Sequence, residues 1–494
     1  MSIVLLATAG TLFPLGASEN YVIDTEENIE THIRQAVVKV YAAYNEPDYY
    51  NPWSMKGPRT RSGSGAVIDG GLIITNAHIV SDVTFLQVRR YGDNKRYEAY
   101  VHAVQHQSDL AIVKVVDASF FDGIEPLKFG ALPDAHQEVS VYGYPLGGDA
   151  LSITKGVVSR IEHRPYVHSS SYLLAGQIDA AINPGSSGGP VIADGRIVGI
   201  TMQSIPQAQN IGYMVPVPIV ERFLEHAAAG DLQGFPGLGL VKQGMENADL
   251  RRYYLMEPDQ TGMLITDVVP GSPSDGNIFP GDVLLTIGSY QVFNDGTVEF
   301  RPRERTSLSY VVQKRRIGET VTVSILREGE ILSLDILLAS PADDHRLVPL
   351  EQYDVLPTYY IYGGFVFSPL SKNLLRIWGD NWFNIAPVDV VSLYLNGIPQ
   401  FPGEQVIVIS RVLSADINDG YQDVFFWIVD QVNGIPVRSM EQLIELIEEN
   451  TGSHTILENT RGRKIILDHG KAASAHQRIL SLYRISHDRS ADLR

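Results

Sequence analysis

The chain has 494 residues, enough for about three domains, and 44% of its residues are hydrophobic, so several cores can be buried. It carries 57 acidic against 39 basic residues, a net charge of −18, which argues against binding to nucleic acids or anionic membranes. The absence of cysteine excludes disulfides, thiolate catalysis and cysteine-based zinc sites.

The first segment, residues 1–18, contains no charged side chain and ends in small residues. Its apolar run is too short and too interrupted by glycine and proline for a membrane span, and no later segment reaches transmembrane length. The pattern is typical of a signal peptide, although no lysine or arginine precedes the apolar run. It predicts a periplasmic or otherwise extracytoplasmic location, with an organelle or the nucleus as the alternative if the source is eukaryotic. A buried first strand or a misassigned start is the other interpretation of the segment.

From Gly63 to about Val220, short β-rich runs alternate with turns that contain glycine, proline and aspartate. The runs include FLQVRRY, YEAYVHAV, LAIVKVV, EVSVYGYP and GRIVGITM. Many short strands at this spacing are typical of closed antiparallel barrels. The sequence therefore predicts a mainly β domain, which we place at residues 25–230.

Two polar residues with catalytic potential lie beside strands of this region. His78 lies in a small-residue turn after the apolar run LIIT, and Asp109 comes just before the apolar run LAIVKV. Taken alone, His78 is interpreted as an ordinary loop histidine and Asp109 as a turn cap. Together with the serine motif that follows, both become candidate catalytic residues.

The stretch QIDAAINPGSSGGP contains a Gly-x-Ser-Gly-Gly sequence in which Ser187 is the candidate nucleophile. Glycine lets backbone N–H groups approach a ligand closely, so Gly185, Ser186 and Ser187 form the candidate oxyanion hole, with the N–H groups of Gly185 and Ser187 as donors. A glycine- and serine-rich turn between two strands is the alternative. The chain order His78, Asp109, Ser187 is that of the chymotrypsin-type triad: general base, orienting carboxylate, nucleophile.

At these three motifs the chain resembles the HtrA/Deg family of serine proteases. The matching segments are TNAHIV, SDLAIVKV and QIDAAINPGSSGGPVI, and Ser186 departs from the family, most of whose members carry asparagine there. The resemblance implies a chymotrypsin-like domain of two six-stranded barrels, with the active site between them, followed by PDZ domains. It is strongest over residues 30–340. Towards residue 470 it is most similar to the plant Deg branch, whose members carry a divergent second PDZ domain.

The resemblance also implies a regulatory segment and a specificity pocket. Residues 162–173 occupy the position of the family's PDZ-sensing loop, with His163 and Arg164 as candidate sensors; an exposed polar loop is the alternative. The loop before the GYMVP run, together with that run, lines the pocket by resemblance, and its apolar candidates are Ile211 and Met214. No acidic residue lies nearby, so we expect cleavage after aliphatic residues.

Residues 234–340 match the PDZ pattern of α+β domains. They begin with the loop Gly237-Leu238-Gly239-Leu240, which is suited to hold a peptide's terminal carboxylate with backbone N–H groups while the peptide adds a strand to the sheet edge. A turn of the type Gly-Asp-Val-Leu before a strand and a closing hairpin across Glu328-Gly329 complete the pattern. An unrelated small β-rich domain is the alternative.

The C-terminal third is expected to contain a linker at 341–362, a divergent PDZ-like domain at 363–470 and a loose polar tail at 471–494. The presumed binding turn of this second domain, GGFVF, lacks the Gly-Leu-Gly-Leu form, and its insertion at 370–403 is long. Assembly rather than peptide capture is therefore one expected role.

These features predict an ATP-independent serine endopeptidase that degrades misfolded or unfolded proteins under PDZ control, since the sequence contains no P-loop. We expect no metal and no cofactor, binding of unfolded chains and C-terminal peptides, and a homo-oligomer that is a trimer or a multiple of trimers. One alternative is a chaperone or scaffold that binds unfolded chains with little proteolysis. A pseudoprotease used only for binding is another, and the intact triad argues against it.

Overall fold

The computed structural model describes residues 26–204 and 211–494. The candidate signal peptide and most of the candidate pocket loop lie outside these residues. None of the described helices is long and apolar enough to cross a membrane.

The described chain begins with helix α1 (Glu26–Ala36), which leads into a closed antiparallel barrel. The barrel has six strands in the order β1-β2-β3-β6-β5-β4. Valines and isoleucines fill its interior; Val37, Val40 and Ile74 are fully buried. The short helix α2 (Ala77–Val80) follows β3. The strands are β1 (Val37–Tyr44), β2 (Arg59–Ile68), β3 (Leu72–Thr75), β4 (Val83–Arg89), β5 (Tyr97–Gln105) and β6 (Leu110–Val115).

A second closed antiparallel barrel follows, with the strand order β10-β11-β12-β9-β8-β7. Helix α3 (Val217–Ala229) closes this part of the chain and ends at Gly230, which adopts a left-handed conformation with a φ of 70°. The prediction of two six-stranded barrels is thereby confirmed. The strands are β7 (Glu138–Gly143), β8 (Ser152–Pro165), β9 (Tyr172–Ile178), β10 (Pro190–Ala193), β11 (Arg196–Ser204) and β12 (Gly212–Pro216).

The next module is an α+β domain built on the sheet order β13-β14-β15-β19-β20, in which β13 is an edge strand. β19 and β20 form the expected hairpin, since Arg327 pairs with Glu330 across the turn. The elements are β13 (Leu240–Gln243), α4 (Ala248–Tyr253), β14 (Met263–Val268), β15 (Val283–Ile287), β16 (Tyr290–Gln291), β17 (Thr297–Arg301), β18 (Glu304–Ser307), α5 (Ser309–Gln313), β19 (Thr320–Arg327) and β20 (Glu330–Leu337).

The third module contains two four-stranded sheets, β21-β22-β23-β24 and β26-β25-β27-β28. The predicted insertion at 370–403 forms three short helices, α6 to α8. The elements are β21 (Tyr360–Tyr362), β22 (Phe365–Pro369), α6 (Lys372–Leu375), α7 (Trp382–Ile385), α8 (Val388–Asn396), β23 (Ile407–Val412), β24 (Trp427–Val429), β25 (Gln431–Val432), β26 (Ile435–Pro436), α9 (Met440–Glu448), β27 (His454–Glu458), β28 (Lys464–Asp468) and α10 (His469–Leu482).

The C-terminal tail differs from the prediction of a loose segment. Helix α10 buries Ile479 and Leu480, and the residues after it run beside strand β21. The Ile361 N–H donates to the Asp488 carbonyl at 2.7 Å. The polar composition of the tail concealed a few apolar residues that are sufficient to dock it on the third module.

Candidate active site

His78 and Asp109 form a hydrogen-bonded pair at one end of the first barrel. Helix α2 presents His78, and the turn between β5 and β6 presents Asp109. The Nδ1 atom of His78 lies 2.8 Å from Asp109 Oδ2, and the backbone N–H of His78 donates to Asp109 Oδ1 at 2.9 Å. The carboxylate therefore fixes both the ring and the backbone of the histidine, which leaves Nε2 as the nitrogen available for proton transfer.

The Asp109 carboxylate is shielded from water, with 1% of the residue exposed. Burial by itself would raise its pKa, but the charge of His78 and the hydrogen bonds from that residue hold the pKa of Asp109 below its ordinary value. Asn76 also donates to the Asp109 carbonyl at 2.9 Å. The carboxylate is thus ionised and can stabilise an imidazolium on His78.

The turn that carries Ser187 needs glycine at two positions. Gly185 and Gly188 have φ angles of 95° and 83°, in the left-handed region that favours glycine. A Cβ on Gly185 would lie 2.6 Å from the Tyr144 carbonyl, and one on Gly188 would lie 2.2 Å from the Ser64 carbonyl. The Gly-x-Ser-Gly sequence therefore lets this turn pack closely against both barrels.

The Ser187 hydroxyl donates to the Met202 carbonyl at 3.2 Å. Among the described residues, no hydrogen bond joins this hydroxyl to His78.

The predicted oxyanion hole needs one correction. The Ser186 N–H donates to the Asn183 carbonyl at 2.9 Å, so it is used inside the turn and is not aimed at a substrate. The N–H groups of Gly185 and Ser187 remain the candidate donors.

Ser64 is a site residue that the sequence reasoning missed. It lies on β2 of the first barrel, and its N–H donates to the Ser187 carbonyl at 2.8 Å. Its hydroxyl donates to the Gly185 carbonyl at 2.9 Å and accepts from the Tyr144 N–H at 2.8 Å. One serine thereby fastens the nucleophile turn to the opposite barrel. The small-residue run Gly63-Ser64-Gly65 was the available signal.

The segment predicted to be a sensing loop is largely a β-hairpin. His163 and Arg164 lie on β8, where they pair with Leu174 and Leu173 of β9, and the turn covers residues 166–171. The family resemblance predicts a loop here, whereas the chain is paired on both sides of a short turn.

His163 contacts the first PDZ-like module through both ring nitrogens. Its Nδ1 lies 2.7 Å from Thr306 Oγ1, and its Nε2 lies 2.9 Å from Gln313 Oε1. The Gln313 amide also donates to the Tyr172 carbonyl at 2.8 Å. Burial lowers the pKa of His163, so its ring is neutral, with Nε2–H donating to Gln313 and Nδ1 accepting from Thr306.

Arg164 makes a different contact from the one predicted for a PDZ sensor. Its guanidinium lies 3.8 Å from the centroid of the Tyr213 ring on β12, and 3.7 Å from Glu162. Arg164 thus joins the hairpin to the strand that follows the candidate pocket loop.

The two predicted pocket residues have different surroundings. Ile211 is partly exposed and packs on the barrel core, whereas Met214 is fully buried. A Cβ on Gly176 or Gly199 would lie within 2.6 Å of the Met214 side chain, which therefore fills the space over these glycines. Met214 presents no surface to a substrate in this structure, so Ile211 is the more accessible of the two predicted pocket residues.

The predicted carboxylate loop lies at the start of edge strand β13. Leu238 is buried in the module's core, and Gly239 packs against Ser272, whose Cβ a side chain at Gly239 would strike. Because β13 pairs only with β14 among the described strands, its other edge is available for strand addition.

The corresponding strand of the third module is enclosed. β22 follows Gly363-Gly364 and is paired on both sides, with β21 and with β23. Strand addition to β22 is blocked by the chain's own β21.

Comparisons with known proteins agree with this architecture. Residues 63–200 match the trypsin-like peptidase domain family, and residues 238–338 and 348–492 each match a PDZ domain family. The chain is 38% identical over 451 residues to "Protease Do-like 4, mitochondrial" of Arabidopsis thaliana, covering 91% of this chain and 84% of that protein.

It is 37% identical over 462 residues to "Protease Do-like 2, chloroplastic" of the same plant, covering 93% of this chain and 75% of that protein. The solved structure "HtrA-type protease AlgW with decapeptide" aligns with a TM-score of 0.50 at 20% identity, covering 63% of this chain and 98% of that one, and supports the fold. The chain belongs to the HtrA family of serine proteases, in its Do-like branch, and is a serine endopeptidase.

Proposed function

We propose that this endopeptidase hydrolyses unfolded or misfolded proteins with the triad His78, Asp109 and Ser187. The observation that carries the proposal is the 2.8 Å contact between His78 Nδ1 and a buried Asp109 carboxylate, beside a glycine turn that presents Ser187. Ser187 Oγ attacks the substrate carbonyl carbon while its proton passes to His78 Nε2. The N–H groups of Gly185 and Ser187 stabilise the oxyanion, and His78 then gives the proton to the departing amine. In the second half of the reaction, His78 takes a proton from water while the water oxygen attacks the acyl ester. His78 then returns the proton to Ser187 Oγ as the product acid leaves.

The observed contact of the Ser187 hydroxyl with Met202 supports a resting arrangement of the site. Activation would then include release of the Ser187 hydroxyl from the Met202 carbonyl. The contacts of His163 with Thr306 and Gln313 suggest how a distant event reaches this site, because β8 and β9 lead directly to the glycine turn.

A peptide with an apolar C-terminus is expected to bind the loop at residues 237–240 and to raise the rate on a small chromogenic substrate. The reason is that a ligand shifts an equilibrium only towards the state that it binds better. In His163→Ala and Gln313→Ala the rise should be lost while basal activity remains, and the double variant should lose no more than either single one. His102→Ala, an exposed histidine on β5, is the matched control. A full response in His163→Ala would place the sensor elsewhere.

Cleavage after valine, alanine, isoleucine or leucine is the expected specificity. Ile211 supports it as an apolar residue at the candidate pocket, and burial of an unpaired charge in an apolar pocket costs several kcal/mol. Sequencing of casein fragments measures this directly. Predominant cleavage after lysine or arginine would contradict the pocket assignment.

A chaperone or scaffold that cuts little is the second candidate, favoured by the open edge of β13. Casein digestion by the wild type, with aggregation suppression by the Ser187→Ala variant, separates the two functions. The enclosed strand β22 supports a docking role, not peptide capture, for the second PDZ domain.

We assign the protein to an organelle, because relatives that match over most of its length are named mitochondrial or chloroplastic. The earlier expectation of a periplasmic location has no support among these relatives. We also propose a homo-oligomer built from trimers. Mass spectrometry of the native protein would report the assembly and the mature N-terminus together.

A further inference from the structure

The segment that precedes the third module lies against both loops that present the catalytic pair. One oxygen of Asp354 accepts from the Asp82 N–H at 2.5 Å, and the other lies 2.8 Å from His106 Nε2. The Asp354 N–H donates to the Asp82 carboxylate at 3.1 Å. Asp82 follows the helix of His78, and His106 lies in the turn that ends at Asp109. A single carboxylate from outside the protease domain therefore joins the two loops.

The neighbouring Tyr353 packs on His168, a histidine whose ring lies next to that of His78. Its ring stacks on His168 with a centroid distance of 3.8 Å, and its hydroxyl donates to the His168 carbonyl at 2.7 Å. The His168 ring is centred 6.0 Å from that of His78, and its Nε2 lies 3.0 Å from His106 Nδ1. His168 is 8% exposed and lies among the rings of Tyr353, His106 and His78, so Tyr353 reaches the pair through His168.

The protonation states of His168 and Asp354 are compatible with support of the His78–Asp109 pair. Burial lowers the pKa of His168 to about 3, so its ring is neutral at working pH and adds no positive charge beside a protonated His78. Burial alone would raise the pKa of Asp354, but the hydrogen bond from His106 holds it below its ordinary value. His106 Nε2–H donates to Asp354, and His106 Nδ1 faces the Nε2 atom of His168.

The contacts continue into the body of the third module. Lys372 of α6 donates to the Ser170 hydroxyl in the β8–β9 turn, and it also lies 3.5 Å from Glu351. Arg411 of β23 donates to Asn51 in the loop between β1 and β2. The contacts that dock the third module therefore also fix the positions of Tyr353 and Asp354.

We propose that Tyr353 and Asp354 are positioning residues that hold the His78–Asp109 pair in its reactive geometry while the third module is docked. They act through His106 and His168 and touch neither substrate nor the reacting atoms. The proposal rests on the proposed triad. It adds a second input to the β8–β9 hairpin, whose turn carries His168, separate from the contact of His163 with the first PDZ domain.

Steady-state kinetics of the full chain test the proposal. In Tyr353→Ala and Asp354→Asn, kcat on a small chromogenic substrate should fall about tenfold to a hundredfold with KM unchanged, since small misplacement of catalytic groups has effects of this size. Tyr353→Phe keeps the ring and loses only the hydroxyl, so its kcat should lie between that of the wild type and that of Tyr353→Ala. Unchanged kcat in all three variants would overturn the proposal.

Two matched controls should keep wild-type kcat. Tyr253→Ala removes a tyrosine that is 79% exposed in the first PDZ domain. Asp194→Asn changes an exposed aspartate that, like Asp354, has a left-handed backbone, with a φ of 50° against 58°.

A proton NMR readout separates this proposal from the proposed function. The low-field resonance of the His78 Nδ1 proton, identified by its loss in His78→Ala, reports the histidine–aspartate hydrogen bond without turnover. It should shift or broaden in Tyr353→Ala and Asp354→Asn and stay unchanged in the controls. A shifted resonance in a protein without Ser187-dependent hydrolysis would retain the positioning role and refute the triad's function. An unchanged resonance in both variants would refute the positioning role alone.

Discussion

Replacement of Ser187 by alanine should abolish hydrolysis of casein and of small chromogenic substrates. The hydroxyl is the atom that forms the acyl ester, so the variant retains only substrate binding and the oxyanion donors. Loss of a triad nucleophile lowers kcat by about 10⁴-fold to 10⁶-fold. Initial rates at saturating substrate, compared with the wild-type rate at equal protein concentration, measure the effect.

Ser186→Ala is the matched control for this experiment. Its N–H remains bonded to the Asn183 carbonyl, and the change removes only a hydroxyl from the neighbouring position. Activity should therefore stay within a few-fold of wild type. If Ser186→Ala were the inactive variant and Ser187→Ala the active one, the assignment of the nucleophile would be wrong.

Replacement of Asp109 by asparagine should lower kcat by about 10⁴-fold, with a much smaller change in KM. The amide retains the shape of the carboxylate, but it supplies no charge to stabilise the His78 imidazolium. It also allows the histidine to adopt the wrong tautomer. Because Asp109 is only 1% exposed, no water replaces the missing charge.

Asp117→Asn provides the comparison, since this exposed aspartate caps a short 3₁₀ helix away from the site. Thermal denaturation of both variants shows whether the fold is retained. A kcat for a folded Asp109→Asn protein within tenfold of wild type would remove Asp109 from the mechanism.

The candidate triad residues and the two barrels could be proposed from the sequence because their signals are local. His78, Asp109 and Ser187 each lie beside a short apolar strand. The glycines around Ser187 have positive φ angles, a conformation that favours glycine, so their presence in the sequence indicates a tight turn. Strand alternation and turn residues similarly indicate closed β-barrels.

Contacts between distant segments were not predictable. Ser64 contacts the turn of Ser187 from the other barrel, and Tyr353 contacts His168 from another module. Because the partners are far apart in sequence, neither contact produces a local sequence pattern. The burial of Met214 depends on the glycines of two neighbouring strands. The sequence identifies Met214 as an apolar residue of the GYMVP strand. It does not indicate that the side chain fills the space over two glycines.

Covalent labelling with a fluorophosphonate, followed by peptide mass spectrometry, tests the central claim most directly. The reagent forms a stable ester with a serine whose proton a neighbouring base can take, so the label reports nucleophile and base together. We predict a single label on Ser187 in the wild type, greatly slowed in His78→Ala and in Asp109→Asn. A label on another residue, or equal labelling of Ser187 in the His78→Ala variant, would contradict the triad mechanism.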